Sequence, residues 1–560
     1  MSVLSSVVTR VAGGPATPGF HLPDSPTDAE KYSYFGVQRR WPFIWLFISQ
    51  CCLIYAFAAV MLRTLDTAIG LVFLTVMVPP VVVNLWLRMR RRRIDLEEHV
   101  LTVETWRQHT PHVPSVDIFL PSCGEDSTVL TNTFRHVAAI TWDGDLTVYV
   151  LDDADNADTR RLAEEFGFDY SVRANRGEWK KAGNLIAGFE RSNGELIAVF
   201  DADFAPRPDF LWETVPYLAD PRTGVVQTAQ YFDVDERVNY FARYAGVLQE
   251  LFFRWIQPAR DTYEAAICAG TNVVYRREAV VAAGGFAKVP LGEDVHSGVK
   301  LWVARYRTRY VPLVVAKGLA PDTWKALTNQ QYRWCRSSML LMRSEMFTEA
   351  PFSNRQRMCF WAAFLYYLSS AALPLTSALP TLLIVWMFPD SIEPHDYLLI
   401  IPAVLATVFV FPVIARGWRP TMARVSTVNS FCHLLAVTDA VRNRVAAWVP
   451  TGAASVASAR WSVPTRVATV MRVWVVASQS LLWWGLWRHL SGGGNPWLVW
   501  PTAMLAVVQL VMLLPVLVHL GPQGDVYPSD AASDADVRDR EPIDLRSRSV
   551  AGLAVGGASA

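Results

Sequence analysis

A chain of 560 residues is too long for one ordinary domain, and 52% of it is apolar against 18% charged. Its net charge of +1 excludes the basic excess of a nucleic-acid-binding protein. The seven cysteines include no C-x-x-C pair, which argues against zinc ligation and a disulfide framework.

In chain order, residues 1–40 mix Gly, Pro and Ser without a charged-then-apolar leader layout, and are expected to form a disordered tail. Two apolar runs follow, 41–62 and 68–87, each long enough to cross a bilayer. Arg88 and Arg90 to Arg93 come directly after the second run and place that end in the cytoplasm. From 93 to 350, short apolar runs (116–120, 146–151, 196–200) alternate with helical stretches such as 157–166 and 180–191. This alternation predicts an α/β domain, a parallel-type sheet with helices on both faces, inserted between transmembrane α-helices. Four more apolar runs occupy 359–520: 359–387, 397–415, 467–487 and 496–520.

The loops agree on one topology. The segment of about 417–465 is rich in Arg, whereas 388–396 and 491–495 contain neither Lys nor Arg. A multi-pass protein of the plasma membrane is expected, with both termini and the 93–350 domain cytoplasmic. Residues 521–560, rich in Ala, Ser, Asp and Arg, are expected to be disordered.

Ligands of such sheets gather at the carboxyl ends of strands, where Asp152-Asp153 and Asp201-Ala202-Asp203 stand. In an extended segment Asp201 and Asp203 point the same way, so both carboxylates can reach one hard cation, Mg²⁺ or Mn²⁺. Asp152 or Asp153 can accept hydrogen bonds from a nucleotide, or else cap the helix that begins near Asn156. Lys181 opens a helix with small residues behind it. Asp294, with Glu293 beside it, is the candidate base for sugar transfer, although both also suit a helix N-terminus. His296 is read as a helix-surface or supporting residue rather than the base. Gln330-x-x-Arg333-Trp334 pairs a planar anion clamp with a sugar-stacking ring, just before a block of membrane helices.

Taken in order and spacing, Asp153, Asp201-x-Asp203, Glu293-Asp294 and Gln330-x-x-Arg333-Trp334 resemble the processive family-2 glycosyltransferases, cellulose synthase catalytic subunits above all. The resemblance implies a nucleotide-diphospho-sugar transferase fold. It implies donor contacts from Ser122, Glu125, Asp152, Asp153, Lys181, Asp201, Gln330 and Arg333, and a metal on Asp203. Acceptor contacts would come from Trp334, Cys268, Gly270, Thr271 and Glu293, with Asp294 as base. The implied partners are a UDP-sugar donor, most simply UDP-glucose, a growing polysaccharide acceptor, the lipid bilayer and accessory export subunits. Two departures stand out: Gly292 replaces the Thr of the family's T-E-D motif, and Pro121-Ser122-Cys123-Gly124-Glu125 stands where many members have Pro-Thr-Tyr-Asn-Glu, so an aromatic stack on uracil is missing. The gating loop is at best echoed by Trp448-Val449-Pro450-Thr451-Gly452. A cyclic-dinucleotide-binding barrel is not expected in residues 521–560. Transfer of a single sugar to a lipid, or a non-catalytic nucleotide-sugar-binding scaffold, are the competing readings.

Overall fold

The structure is a computed structural model that describes residues 22–36, 40–64, 67–88, 94–232, 234, 240–391, 393–415, 417–420, 422–444 and 462–518. Met89 to Arg93, the segment 448–452 and the tail 521–560 lie outside the described residues.

Two helices, α1 (Trp41–Thr64) and α2 (Thr67–Arg88), precede the α/β domain. Ten strands follow among the described residues: β1 (Val116–Ser122), β2 (Leu146–Asp152), β3 (Asp169–Ser171), β4 (Leu196–Val199), β5 (Phe204–Pro206), β6 (Thr223–Gln227), β7 (Tyr231–Phe232), β8 (Val273–Arg276), β9 (Arg307–Tyr310) and β10 (Ala316–Gly318). A seven-stranded sheet has the order β3-β2-β1-β4-β8-β6-β9, and β5-β10-β7 form a smaller one. β1 and β4 are buried along their whole length, as near-continuous apolar runs covered on both faces should be. One face of the sheet packs Ile118, Leu120, Val150 and Ala198 into a core with Phe134 and Phe210. The other packs Phe119, Leu151, Ile197 and Val199 with Leu185 and Tyr275.

The expected parallel-type sheet needs a correction at one strand. β8 runs antiparallel to both β4 and β6, while the other pairs of this sheet are parallel. After β4 the chain adds β6 to this sheet, leaves it through β7 and the helices beyond, and returns as β8 between β4 and β6. That reversal has a use: Val273, at the start of β8, pairs with Val199, at the end of β4. The loop 268–272 is thereby delivered to the edge where Asp201 emerges.

Helix α3 (Lys181–Arg191) follows β3, α4 (Glu293–Val303) follows β8, and α5 (Trp324–Met342) closes the domain. Beyond them come α6 (Asn354–Met387), the helical run Pro394–Ile414, α7 (Met422–Val441), α8 (Val463–Ser491) and α9 (Pro496–Val518). Among the described residues three helices are long and apolar enough to cross a membrane: Asn354–Met387, Pro394–Ile414 and Pro496–Leu514. Trp41–Ala56 and Val78–Leu87 are shorter apolar stretches. The span expected at 467–487 falls within α8, which carries Arg466, Arg472 and Arg488 and is not among the three.

The expected disordered tail 1–40 is corrected over 22–36. Thr27 and Glu30 form a capping box on a short helix, and Lys31 is buried at 4% exposure between Asp209 (2.8 Å) and Glu213 (2.7 Å). The Lys31 carbonyl accepts from the Val314 amide (3.0 Å), and Asn132 Nδ2 donates to the Pro23 carbonyl (2.8 Å). Composition hid this because the anchor is a single lysine whose acidic partners lie about 180 residues away. Removing one partner from a buried ion cluster costs about 3–5 kcal/mol. Lys31→Met is therefore expected to lower the unfolding free energy by about 3 kcal/mol, measured by denaturant titration in detergent; an unchanged midpoint would refute the anchor.

Candidate active site

The carboxyl ends of β1, β2 and β4 open onto a cavity of about 450 Å³. Its wall brings together Ser122, Glu125, Asp153, Lys181, Asp201, Asp203, Cys268, Glu293, Asp294, Gln330, Arg333 and Trp334. The cavity also reaches Asn84 and Leu87 of α2 and Ala362, Tyr366 and Tyr367 of α6. One space thus joins the sheet edge to helices on both sides of the domain.

The charged groups are arranged around Lys181, the first residue of α3. Its Nζ donates to Asp201 Oδ1 and to the Gly270 carbonyl (2.9 Å). Burial pulls its pKa down, but Asp201, Glu293 and Asp294 outweigh that and hold it above the usual lysine range. The Asp201 amide donates to Thr271 Oγ1 (2.9 Å), which ties the 268–272 loop to the end of β4. Asp203 is pushed up to about 8 by burial and by the Asp201 and Glu125 charges. Glu125 rises to about 7, chiefly by burial. Asp294 also rises to about 7, through burial and the adjoining Glu293 charge. All three keep part of their surface toward the cavity, so their burial is that of a cleft rather than a core.

Crowded carboxyls of this kind relieve their repulsion by protonation or by a cation. Asp201, Asp203 and Glu125 offer only hard oxygen donors, which fit Mg²⁺ or Mn²⁺ rather than a soft metal. Among the described residues no group of three or more His, Cys, Asp and Glu is placed to hold an ion by itself. A cation here would take part of its shell from a bound phosphate, as Mg²⁺ commonly does.

Helix α5 displays its site residues by helical spacing. Gln330, Arg333, Trp334, Ser337 and Ser338 fall at i, i+3, i+4, i+7 and i+8, and all five line the cavity. The opposite face is braced: Tyr332 donates to Asp439 Oδ2 (2.8 Å), and Arg466 donates to both Asp439 oxygens (2.8 and 2.7 Å). Those bonds lock α5 onto α7 and α8. The Gln330 side-chain carbonyl is buried and has no hydrogen-bond partner among the described residues. Arg333 is pulled down by burial, while Asp201, Glu293 and Asp203 act in the other direction.

Gly292, the N-cap of α4, has φ +67°. A Cβ there would lie 1.6 Å from Ser337 Oγ and 2.6 Å from Ser337 Cβ. The space of a side chain at 292 is therefore occupied by Ser337 of α5. Gly292→Ala is expected to destabilise by about 2–4 kcal/mol, combining left-handed strain and overpacking. Adding Ser337→Gly should recover the overpacking part, a positive coupling in a double-mutant cycle. Additive losses in melting temperature would contradict the shared space.

Some sequence-predicted residues stand elsewhere. Asp152 is 1% exposed and off the cavity wall. Its oxygens accept from the Ala154 and Asn156 amides and from Tyr170 OH, so it caps the following turn. Asp153 lines the cavity, but Arg173 clamps both its oxygens at 2.7 Å. Gly270 and Thr271 hold Lys181 and Asp201 from behind the wall. A Cβ at Gly270 would meet Asp294 Oδ2 at 3.1 Å, so the loop's bareness there leaves room for the candidate base. His296 is buried and bonds the Gly292 carbonyl (2.8 Å), away from the wall. Sequence reasoning missed Arg173, Ser337 and the tyrosines of α6. The +7 spacing of Ser337 from Gln330 was the available signal.

Residues 196–413 match the family model described as glycosyl transferase family group 2. Over that stretch the chain is similar to family-2 glycosyltransferases. It is 32% identical over 264 residues to a cellulose synthase catalytic subunit (UDP-forming) of Pseudomonas fluorescens (strain SBW25), covering 45% of this chain and 35% of that protein. It is 30% identical over 264 residues to the same-named subunit of Xanthomonas axonopodis pv. citri (strain 306), covering 45% and 36%. The matched part spans about a third of each relative's length. Among solved structures, mannosyltransferase PcManGT from Pyrobaculum calidifontis in complex with GDP-Man and Mn²⁺ is similar at TM-score 0.47 and 17% identity, covering 71% of this chain and 100% of that one. The family-2 match begins at β4, contains Asp201, Asp203, Glu293, Asp294 and the cavity face of α5, and runs on through α6.

Proposed function

We propose that the protein is an inverting membrane glycosyltransferase that polymerises a β-linked polysaccharide from a UDP-sugar, UDP-glucose first, and exports it. The observation that carries this reading is the shared cavity. Asp201, Asp203, Asp294, Arg333 and Trp334 lie on the same wall as Tyr366 and Tyr367 of a membrane-length helix. A sugar chain extended at the acidic end would have the membrane helices directly ahead of it. The relatives named as cellulose synthase catalytic subunits support the same choice of donor and product.

In this reading the donor's diphosphate is held by the Arg333 guanidinium and the Gln330 side-chain NH2, which donate to it, while the Gln330 carbonyl, without a partner among the described residues, is left to accept from a hydroxyl of the bound donor. Asp201 and Asp203 would hold the divalent cation, which when bound neutralises charge on the diphosphate. Lys181 fixes Asp201 and the Gly270 loop in one position. Trp334 stacks the terminal sugar of the acceptor. Asp294 takes the proton from an acceptor hydroxyl as its oxygen attacks the anomeric carbon; the new C–O bond forms, the bond to phosphate breaks, and UDP leaves. Attack opposite the leaving group inverts the anomeric centre. Cys123, at the cavity wall, stands near where the base would lie; burial and the Glu125 charge push its thiol up to about 11. It is a neutral contact there, not a nucleophile. The catalytic domain faces the cytoplasm, on the side marked by Arg88 and its basic neighbours.

Membranes carrying the protein, given labelled UDP-glucose with Mg²⁺ or Mn²⁺, should make a polymer. A product of one sugar on a lipid would replace polymerisation with single transfer.

A further inference from the structure

Arg260 carries a charge that sugar transfer leaves unused. It is 1% exposed and among the largest fully buried side chains of the described residues. Its Nε donates to the Ala265 carbonyl (2.9 Å) and its Nη1 to the Cys359 carbonyl, and its guanidinium lies 4.8 Å over the Phe360 ring. Nη2 is buried without a hydrogen-bond partner among the described residues. Among the described residues no carboxylate pairs with this cation. Burial pulls its pKa down to about 10, and only Cys359 acts the other way. Arg333, by contrast, feels Asp201, Glu293 and Asp203. The two arginines line one cavity, yet the acidic residues that act on Arg333 are not among the charges acting on Arg260.

Its surroundings place it at the membrane end. Ala259 and Ala265, on either side of it in sequence, cluster with Leu87 at the end of α2 and with Cys359 and Ala362 near the start of α6. Next to them Trp86 stacks on Tyr263 at 4.8 Å, an aromatic pair of the kind that marks a water–lipid boundary. A permanent cation taken out of water without a counter-ion is costly, and its planar fork matches an oxyanion. Apolar walls beside it suit a hydrocarbon chain. Basic pockets between helices at the cytoplasmic boundary bind phosphate head groups by this combination.

We propose that Arg260 is the head-group site for a phosphate-bearing amphiphile, with the phosphate on its free guanidinium arm and the chain along Leu87, Ile256 and Ala362. The subsite rests on the membrane placement proposed above and is independent of the donor's identity.

The test uses the full chain in a neutral sugar-headed detergent, titrated with dioleoyl phosphatidic acid, dioleoylglycerol or inorganic phosphate, with binding read by native mass spectrometry. Phosphatidic acid is expected to bind at least about tenfold more tightly than either fragment. Arg260→Met should lose at least tenfold in that binding, and Arg260→Lys should retain part of it. Ala362→Leu fills the chain side while keeping the Arg260 braces, and should lose a similar factor. Inorganic phosphate binding as tightly would make this a free-anion site and overturn the proposal; dioleoylglycerol binding as tightly would make it an uncharged groove and overturn it equally. Unchanged phosphatidic acid binding in Arg260→Met and Ala362→Leu would also overturn it. UDP binding is measured alongside: its absence in the wild-type protein counts against the donor site alone, whereas lost lipid selectivity with UDP binding intact counts against Arg260 alone.

Discussion

Asp294→Asn is expected to cut turnover by about 10²- to 10⁴-fold, the contribution of a positioned general base, with UDP binding unchanged. Asn preserves the shape and can still accept the Val295 amide bond that Asp294 Oδ1 makes at 2.8 Å. What it removes is the proton acceptor. The pH dependence makes the role specific. Asp294 sits near 7 in the free protein, raised by burial and by Glu293, and must be ionised to act. The sign is therefore a rate that rises with pH: kcat/KM should climb through about pH 7 and level off above it. In Asp294→Asn that limb should vanish. A variant with wild-type turnover, or one that keeps the rising limb, would move the base elsewhere.

Asp203→Asn is expected to lower metal-supported turnover at least about 100-fold, the scale set by removal of a single electrostatic stabiliser. Here the loss should extend to UDP binding in Mn²⁺. Asp203 lies near 8 in the ligand-free protein, held protonated by burial and by Asp201 and Glu125. Because its folded pKa is raised, the native state holds an extra proton between the ordinary carboxylate range and about 8. Stability is thus favoured at low pH and lost as pH rises through 8. A cation must displace that proton, so Mn²⁺ affinity should increase with pH up to about 8. Calorimetry with Mn²⁺ and UDP at pH 6 and pH 8.5 reads both effects. Affinity that is flat with pH, or unaltered by Asp203→Asn, would contradict a metal on Asp203.

Much of this site was legible because its residues sit where local patterns end. Asp201 and Asp203 follow an apolar strand, and the α5 residues repeat with the period of a helix. Local patterns carry no information about pairing at a distance. The antiparallel β8 could not be read from Val273–Arg276, whose apolar start suits either direction. Asp152 and Asp153 look equivalent in sequence, yet Tyr170 and two amides commit the first, while Arg173, twenty residues on, clamps the second. The order in 22–36 depends on Asp209 and Glu213. Ser337 gained meaning only once its hydroxyl was found in the space that Gly292 leaves. In each case the deciding partner was remote in sequence and close in space.

Polymerisation through the shared cavity is tested most directly by the size and linkage of the product made in vitro. Purified protein in lipid nanodiscs would receive labelled UDP-glucose with Mn²⁺, and the product would be resolved by chain length and by methylation analysis. A β-linked polymer lengthening with time, absent in Asp294→Asn, is the predicted result. A labelled lipid bearing one sugar, or no transfer from any UDP-sugar, would contradict it.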